Sequence, residues 1–222
     1  MRFLPPEVSR SLRRKSTSLK HKQKVIRDMM HAAVGVERDS LICEILMDRR
    51  FDAAVRSRAV WEVGSHPGLE LVRCLRIITH DKSEPRELRE RTLYELVVVD
   101  TTLAPVDIRS LLLDPDEDPI FRGEAAEKIC MGDCVEELAS TLKMLLREPN
   151  LHEEIAFWCI YACHELCDDE EVAEILTLYL DDHRVVRAPV GVPHTDATVA
   201  QEAAWALDQI AGNYSDPAWL IV

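Results

Sequence analysis

The amino-acid sequence predicts an all-α protein built from repeated pairs of helices. Of its 222 residues, 47% are hydrophobic, which is enough for a well-buried core, and only seven are glycine. Short breaks that contain Pro, Asp or Asn separate amphipathic segments of helical length. No segment alternates apolar and polar residues for long enough to predict a strand. One pattern also recurs along the chain, which is typical of repeat architectures.

The repeat is clearest in the first helix of each pair. Its copies begin at positions 55, 88, 121, 155 and 199 and read VRSRAVWEV, LRERTLYEL, FRGEAAEKI, IAFWCIYAC and VAQEAAWAL. The fifth residue of every copy is small: Ala59, Thr92, Ala125, Cys159 and Ala203. Since the first, fifth and ninth residues share one helix face, we expect that face to enter the core. The small residue in its middle would let another helix approach closely.

A second amphipathic segment follows the first helix in each complete pair. Four of these segments read LELVRCLRII, APVDIRSLLL, VEELASTLKMLL and EEVAEILTLYL. An N-terminal pair is formed by KQKVIRDMMHAAV and SLICEILM. The chain is therefore expected to hold about five helix pairs and a C-terminal fragment.

A column of aspartates and arginines follows the same register. Asp48, Asp81 and Asp114 each close a second helix, and an arginine lies eight residues after each of them: Arg56, Arg89 and Arg122. The fourth pair lacks both members, with Arg147 and Ala156 in their places. This joint loss predicts a structural Asp–Arg ladder, since carboxylates and guanidinium groups form strong paired hydrogen bonds.

The stretches VRSRAVWEVG, LRERTLYEL and FRGEAAEKI, with their closing aspartates, resemble short HEAT-like repeats of the bilin-lyase type. The resemblance covers roughly residues 22–217 and implies a right-handed α-solenoid of antiparallel helix pairs, which we extend over residues 22–222 as one domain. Such arrays mostly bind other macromolecules, and the resemblance transfers no catalytic residues. Ten extra residues before the last copy depart from the family and predict a loop insertion near residues 184–195, a candidate part of a binding face.

Charge is distributed unevenly along the chain. Residues 1–27 contain nine Lys/Arg and one acid, Glu7, so residues 1–21 are predicted to form a basic, flexible arm. With this +8 removed from the chain's −13, residues 28–222 carry −21 and would repel nucleic acid. No apolar run predicts a membrane span or a secretory signal, so we expect a cytoplasmic protein with reduced cysteines.

Acidic residues concentrate between positions 114 and 182, where twenty Asp/Glu stand against four Lys/Arg. Two clusters at expected helix starts are candidate contacts for a basic protein partner: Asp116, Glu117, Asp118, Asp168, Asp169, Glu170 and Glu171. Part of this charge would stabilise helix N-termini. The alternative is a solvated face that only maintains solubility.

The seventh position of the first helix is aromatic in four of the five copies. These residues are a candidate partner-binding stripe: Trp61, Tyr94, Tyr161 and Trp205. The alternative, which the sequence favours, is that they pack between successive repeats.

Five of the seven cysteines fall into two groups. Cys159 and Cys163 occupy core columns and are expected to act as small hydrophobic residues. Four other residues fall near one edge of neighbouring repeats and are weak candidates for tetrahedral zinc: Cys130, Cys134, His164 and Cys167. The default expectation is that no metal or other cofactor is bound.

No catalytic motif is present: the sequence lacks HExxH, GxSxG and a phosphate-binding glycine loop. We therefore expect a non-catalytic scaffold or adaptor that binds a basic protein through a curved, acidic surface. One alternative is an immunity or inhibitor protein that neutralises a basic toxin such as a nuclease. A further alternative is a bilin lyase-like or metal-binding enzyme.

Overall fold

The computed structural model describes residues 4–99, 104–131, 134–166, 170–186, 196–213 and 215–216. These residues form twelve α-helices and one short two-stranded ribbon, so the prediction of an all-α protein is confirmed for the described part of the chain. Backbone contacts divide the chain into two compact units, Met1–Thr101 and Thr102–Val222. We refer to them as unit 1 and unit 2.

Unit 1 contains six helices, packed mainly in two rows. They are α1 (Pro6–Arg13), α2 (Leu19–Ala32), α3 (Val36–Met47), α4 (Ala53–Val60), α5 (Leu69–His80) and α6 (Arg86–Val99). Helix α4 packs against both α2 and α6, and α3 packs against α5. Contacts between α3 and α4 and between α5 and α6 join the two rows.

Unit 2 repeats this pattern with six further helices. They are α7 (Ala104–Leu113), α8 (Pro119–Met131), α9 (Val135–Leu145), α10 (Glu153–Cys163), α11 (Glu170–Thr177) and α12 (Val199–Ile210). Helix α10 packs against α8 and α12, and α7 packs against α8 and α9. Strands β1 (Val185–Val186) and β2 (Ala197–Thr198) pair antiparallel on either side of residues 187–195, where most of the predicted insertion lies outside the described residues.

The repeated small residues lie in the core, as the helical register predicts. All five are fully buried: Ala59, Thr92, Ala125, Cys159 and Ala203. The first residue of each copy is also buried, and so is the ninth except at Val63 and Leu207, which are half-buried. A small side chain at the fifth position therefore lies where neighbouring helices come closest.

The N-terminal segment differs from the predicted flexible arm. Residues 6–13 form α1, and the side chains of Leu4 and Leu12 are buried in the core of unit 1. Arg13 Nη2 donates to Asp48 Oδ2 at 2.6 Å. The reason is an apolar i, i+4, i+8 spacing of Leu4, Val8 and Leu12 within the basic sequence, which gives a short amphipathic helix a face to bury.

The arginine column is structural, but its partners are not the predicted aspartates. Each arginine Nε donates to a backbone carbonyl ten residues earlier, in the last turn of the preceding helix. The donor–acceptor distances are 2.7 Å for Arg56 to Leu46, 2.9 Å for Arg89 to Thr79 and 3.0 Å for Arg122 to Leu112. The predicted Asp–Arg ladder is therefore wrong in its pairing.

Arg56 has a second partner in addition to the carbonyl. Its two terminal nitrogens donate to the Glu84 carboxylate at 2.6 and 3.0 Å, and both side chains are buried. Arg49 Nε also lies 2.9 Å from Glu84, but the Arg49 side chain is 58% exposed. The buried carboxylate is therefore held mainly by the buried guanidinium.

Arg56→Met is expected to lower the free energy of unfolding by about 3 kcal/mol, because it removes one partner of a buried ion pair and leaves the Leu46 carbonyl without its donor. Arg49→Met is the matched control at the same carboxylate, and because Arg49 is exposed its loss should cost below about 1 kcal/mol. Urea unfolding of both variants measures the difference. Equal losses would contradict a structural role specific to Arg56.

Asp48→Asn is expected to destabilise the protein at neutral pH by about 1–2 kcal/mol, the range for charge-assisted hydrogen bonds. Hydrogen bonds from Arg50 and Arg13 hold the pKa of Asp48 well below its usual value, so its ionised form is stabilised in the folded state. That contribution is present above about pH 5 and declines as pH falls through the unfolded and then the folded pKa. Urea unfolding between about pH 7 and pH 2 should therefore show the variant and the wild type converging at low pH. Asp28→Asn, at an exposed position, should show no such convergence.

Candidate functional site

The members of the aromatic column differ in exposure: Trp61 is exposed, Tyr94 and Tyr161 are half-buried, and Trp205 is buried. The Trp61 side chain is 58% exposed, and the Arg91 guanidinium lies 3.4 Å from its ring centroid and 4.7 Å from that of Tyr94. In unit 2 the rings of Tyr161 and Trp205 stack with centroids 5.6 Å apart and planes 14° apart. Tyr161 and Trp205 thus fit packing between helices α10 and α12, and Trp61 is the strongly exposed member.

The predicted acidic contacts have different environments. Glu117 is buried and accepts a hydrogen bond from the Asp118 amide, so its assignment to a binding surface is wrong. Asp118 Oδ1 accepts from the amides of Ile120 and Phe121 at 2.8 and 3.3 Å, which caps the start of α8. These two residues support local structure.

Only part of the second acidic cluster is described. Glu171 accepts from Lys143 at 2.7 Å and from Arg147 at 2.5 Å, and these two hydrogen bonds lower its pKa. Asp168 and Asp169 lie outside the described residues. Asp116 and Glu170 are exposed, as a partner-binding role requires.

A larger acidic surface lies on two neighbouring helices. The ion pairs of Lys143 and Arg147 with Glu171 join α9 to α11. Four exposed glutamates on these helices define what we call the acidic surface: Glu136, Glu137, Glu170 and Glu174. The predictions included only Glu170, although the sequence shows acids in the first turns of both helices.

Unit 1 contains a basic groove that the sequence-based predictions did not identify. It is an open cavity of about 770 Å³ between α2 and α4, and its basic and aromatic lining residues are Lys20, His21, Lys24, Arg27, Arg58 and Trp61. The described residues that line it include no Asp or Glu. In the sequence, only the enrichment of residues 1–27 in Lys/Arg indicated this groove. The residues that α4 contributes reach the groove through tertiary packing, which the sequence pattern does not reveal.

The two units differ strongly in charge. Residues 1–101 contain 20 Lys/Arg and 15 Asp/Glu, a net of +5, whereas residues 102–222 contain 7 and 25, a net of −18. Residues 1–27 account for the positive net charge of unit 1, since residues 28–101 contain 11 Lys/Arg and 14 Asp/Glu, a net of −3. The acidity predicted for residues 28–222 is therefore concentrated in unit 2. Each unit can attract ligands of opposite charge.

The candidate metal ligands converge in part. The ligand atoms of Cys130, His164 and Glu165 all lie within 4.8 Å of one another. Cys134 is buried, and its thiol lies 3.4 Å from the Ile129 carbonyl oxygen. Cys167 lies outside the described residues. The structure therefore joins two of the four predicted residues to a third, Glu165, that the predictions omitted.

Burial and charge explain the state of the Cys130 thiol. Desolvation, with smaller contributions from Glu165 and Cys134, raises its pKa to about 12. Without a bound cation the sulfur is therefore protonated at neutral pH. Cys159 and Cys163 are fully buried, as expected of core residues.

Comparisons of the chain with protein-family models, with curated proteins and with solved structures gave no match. Within the described ranges, no helix combines the length and the apolar character that a membrane crossing requires.

Proposed function

We propose that the protein is a non-catalytic scaffold that binds a basic protein partner through unit 2. The observation that carries this proposal is the acidic surface, where exposed glutamates project from two adjacent helices of a unit with a net charge of −18. The nearby Lys143 and Arg147 pair with Glu171. Both cations therefore bind Glu171, which is not one of the four glutamates that define the acidic surface.

We also propose that the helix pairs form a HEAT-like α-solenoid. In each unit, first helices pack against first helices two elements away, as α4 does with α2 and α6 and α10 does with α8 and α12. The same arginine-to-carbonyl hydrogen bond recurs at a spacing of 33 residues. Stacked repeats of this kind expose long helical surfaces, which suits the binding of another macromolecule.

Charge complementarity would set the rate and selectivity of such binding more than its absolute affinity. A basic partner is steered toward carboxylates at long range, and like-charged proteins are rejected. A basic toxin such as a nuclease is one partner of this class, because carboxylates present the same charge as the phosphates of its substrate. The association should weaken steeply with salt, since the acidic surface is exposed.

Reversing the charge of the acidic surface is expected to weaken partner binding by at least about tenfold. The variant combines four substitutions: Glu136→Lys, Glu137→Lys, Glu170→Lys and Glu174→Lys. The reason is that a basic partner would then be repelled where it was attracted. Affinity capture from a native lysate, followed by titration of the purified partner, measures this change. The control reverses four exposed acids of unit 1: Glu7, Asp28, Glu37 and Glu87. Undiminished binding by the unit 2 variant, with circular dichroism showing a folded protein, would exclude this surface.

The basic groove of unit 1 favours a second candidate function, the binding of single-stranded nucleic acid. Lys20, Lys24 and Arg27 supply cations for the phosphates, and the exposed indole of Trp61 supplies a face for a base. Cationic grooves with exposed aromatic rings are the usual means of binding single strands without sequence preference. The described lining residues include no carboxylate, but Arg58 pairs with Glu62 and Arg27 Nε lies 4.0 Å from Asp28. Lys20 and Lys24 therefore supply most of the positive potential of the groove.

Trp61→Ala is expected to weaken binding of a fluorescent single-stranded oligonucleotide by roughly 5- to 100-fold, since stacking on one aromatic contributes about 1–3 kcal/mol. Lys20→Glu with Lys24→Glu should weaken it further and reduce its salt dependence. Fluorescence anisotropy at several salt concentrations measures both effects. Arg73→Glu with Lys82→Glu is the control, because these exposed cations do not line the groove. If all variants bind alike, the groove is not the site.

A further inference from the structure

The end of α10 and the last turn of α8 bring three different metal-binding groups together. Cys130 lies near the C-terminus of α8, His164 is the C-cap of α10, and Glu165 follows it. Because α8 and α10 pack directly against each other, residues 34 positions apart in the sequence become neighbours. Their sulfur, nitrogen and oxygen atoms all lie within 4.8 Å of one another.

The contacts of the His164 ring identify which of its two nitrogens can bind a metal. Its Nδ1 lies 2.5 Å from the backbone carbonyl oxygen of Tyr161, which only accepts hydrogen bonds, so Nδ1 carries a proton. In a neutral ring Nε2 then presents a lone pair, and it lies 3.2 Å from Glu165 Oε1. Nε2 and the carboxylate oxygen are therefore two electron-pair donors that lie close enough together to bind the same metal ion.

The Cys130 sulfur provides a third donor, since it lies within 4.8 Å of the ligand atoms of His164 and Glu165. We infer that unit 2 binds one Zn²⁺ through Cys130 Sγ, His164 Nε2 and a Glu165 carboxylate oxygen. On binding, the Cys130 thiol releases its proton to solvent, as cysteine ligands do.

The surroundings support this donor set. Metal-bound histidines usually donate their other nitrogen to a carbonyl or carboxylate, which is the bond that His164 makes to Tyr161. The ring centroids of Tyr161 and Trp205 lie 5.1 and 4.9 Å from that of His164, so aromatic packing fixes the imidazole plane. The ligand is therefore held in place before the metal arrives.

The donors also identify the metal. Thiolate, imidazole and carboxylate together suit zinc better than the oxygen-preferring magnesium or calcium. Tetrahedral bonds of about 2.0–2.3 Å require ligand atoms roughly 3.3–3.7 Å apart. The His164–Glu165 separation is already close to this range, and the exposed Glu165 can adjust. Three protein donors leave the fourth position to water.

The test is titration of the metal-free, full-length protein with Zn²⁺ in competition with a chromophoric chelator. We expect one ion per chain, with affinity reduced about 100-fold or more in Cys130→Ser and in His164→Gln, since even residues that only orient ligands contribute 10- to 100-fold. Glu165→Gln is a third variant that should weaken Zn²⁺ binding, and because Glu165 is exposed the change should not disturb folding. Cys43→Ser and His66→Gln in unit 1 are matched controls and should bind as the wild type does.

Co²⁺ substitution provides a readout that is specific for sulfur ligation. The wild type should show thiolate-to-cobalt charge-transfer absorption, which Cys130→Ser should abolish while the circular dichroism spectrum is unchanged. Charge transfer that persists in Cys130→Ser would overturn the assignment. So would Zn²⁺ affinity that is equal in the site variants and the controls.

Discussion

The helix pairs depend on one recurring interaction, a hydrogen bond from a buried side chain to a carbonyl in the last turn of the preceding helix. The last carbonyls of any helix lack partners within it, and leaving one buried and unbonded is costly. Arg56, Arg89 and Arg122 each satisfy such a carbonyl through Nε. The guanidinium has further donors, so Arg56 also binds the Glu84 carboxylate, and one side chain joins three segments of the chain.

The fourth repeat shows that the carbonyl is the fixed requirement and the arginine only one way to meet it. There the equivalent carbonyl belongs to Leu146, 34 residues after Leu112, and its donor is the Tyr179 hydroxyl at 2.7 Å. The position that holds arginine in the other repeats is Ala156, which is fully buried. A neutral hydroxyl needs no carboxylate partner. The loss of the arginine in this repeat therefore reflects replacement of a charged donor by a neutral one, which follows the end of α11. It does not account for the loss of the aspartate, because the column aspartates are not the partners of the arginines.

Helical periodicity could predict the core face of each first helix, because the first, fifth and ninth residues lie on the same face. The fully buried column that contains Ala59 and Cys159 follows from spacing in the sequence. Polar pairing depends on which carbonyl or carboxylate lies within about 3 Å, which spacing does not determine. For that reason the arginine column was found but its partners were not. Similarly, Cys130 and His164 were correctly placed together, whereas Glu165 and the buried position of Cys134 required the structure.

The negative charge of unit 2 links its surface to its buried chemistry. Burial and the nearby Cys130, Glu202 and Glu127 raise the pKa of Tyr161 to about 12, and the Cys130 thiol is affected in the same direction. The nearby Glu202 and Glu127 carboxylates oppose the formation of another anion and attract a cation, whereas burial opposes a charge of either sign. Part of the acidity of unit 2 is required for structure, as the Asp118 cap shows. The other acidic residues of unit 2 attract positive groups. Under the two proposals, these groups are the basic surface of a protein at α9 and α11 and a metal ion at the end of α10.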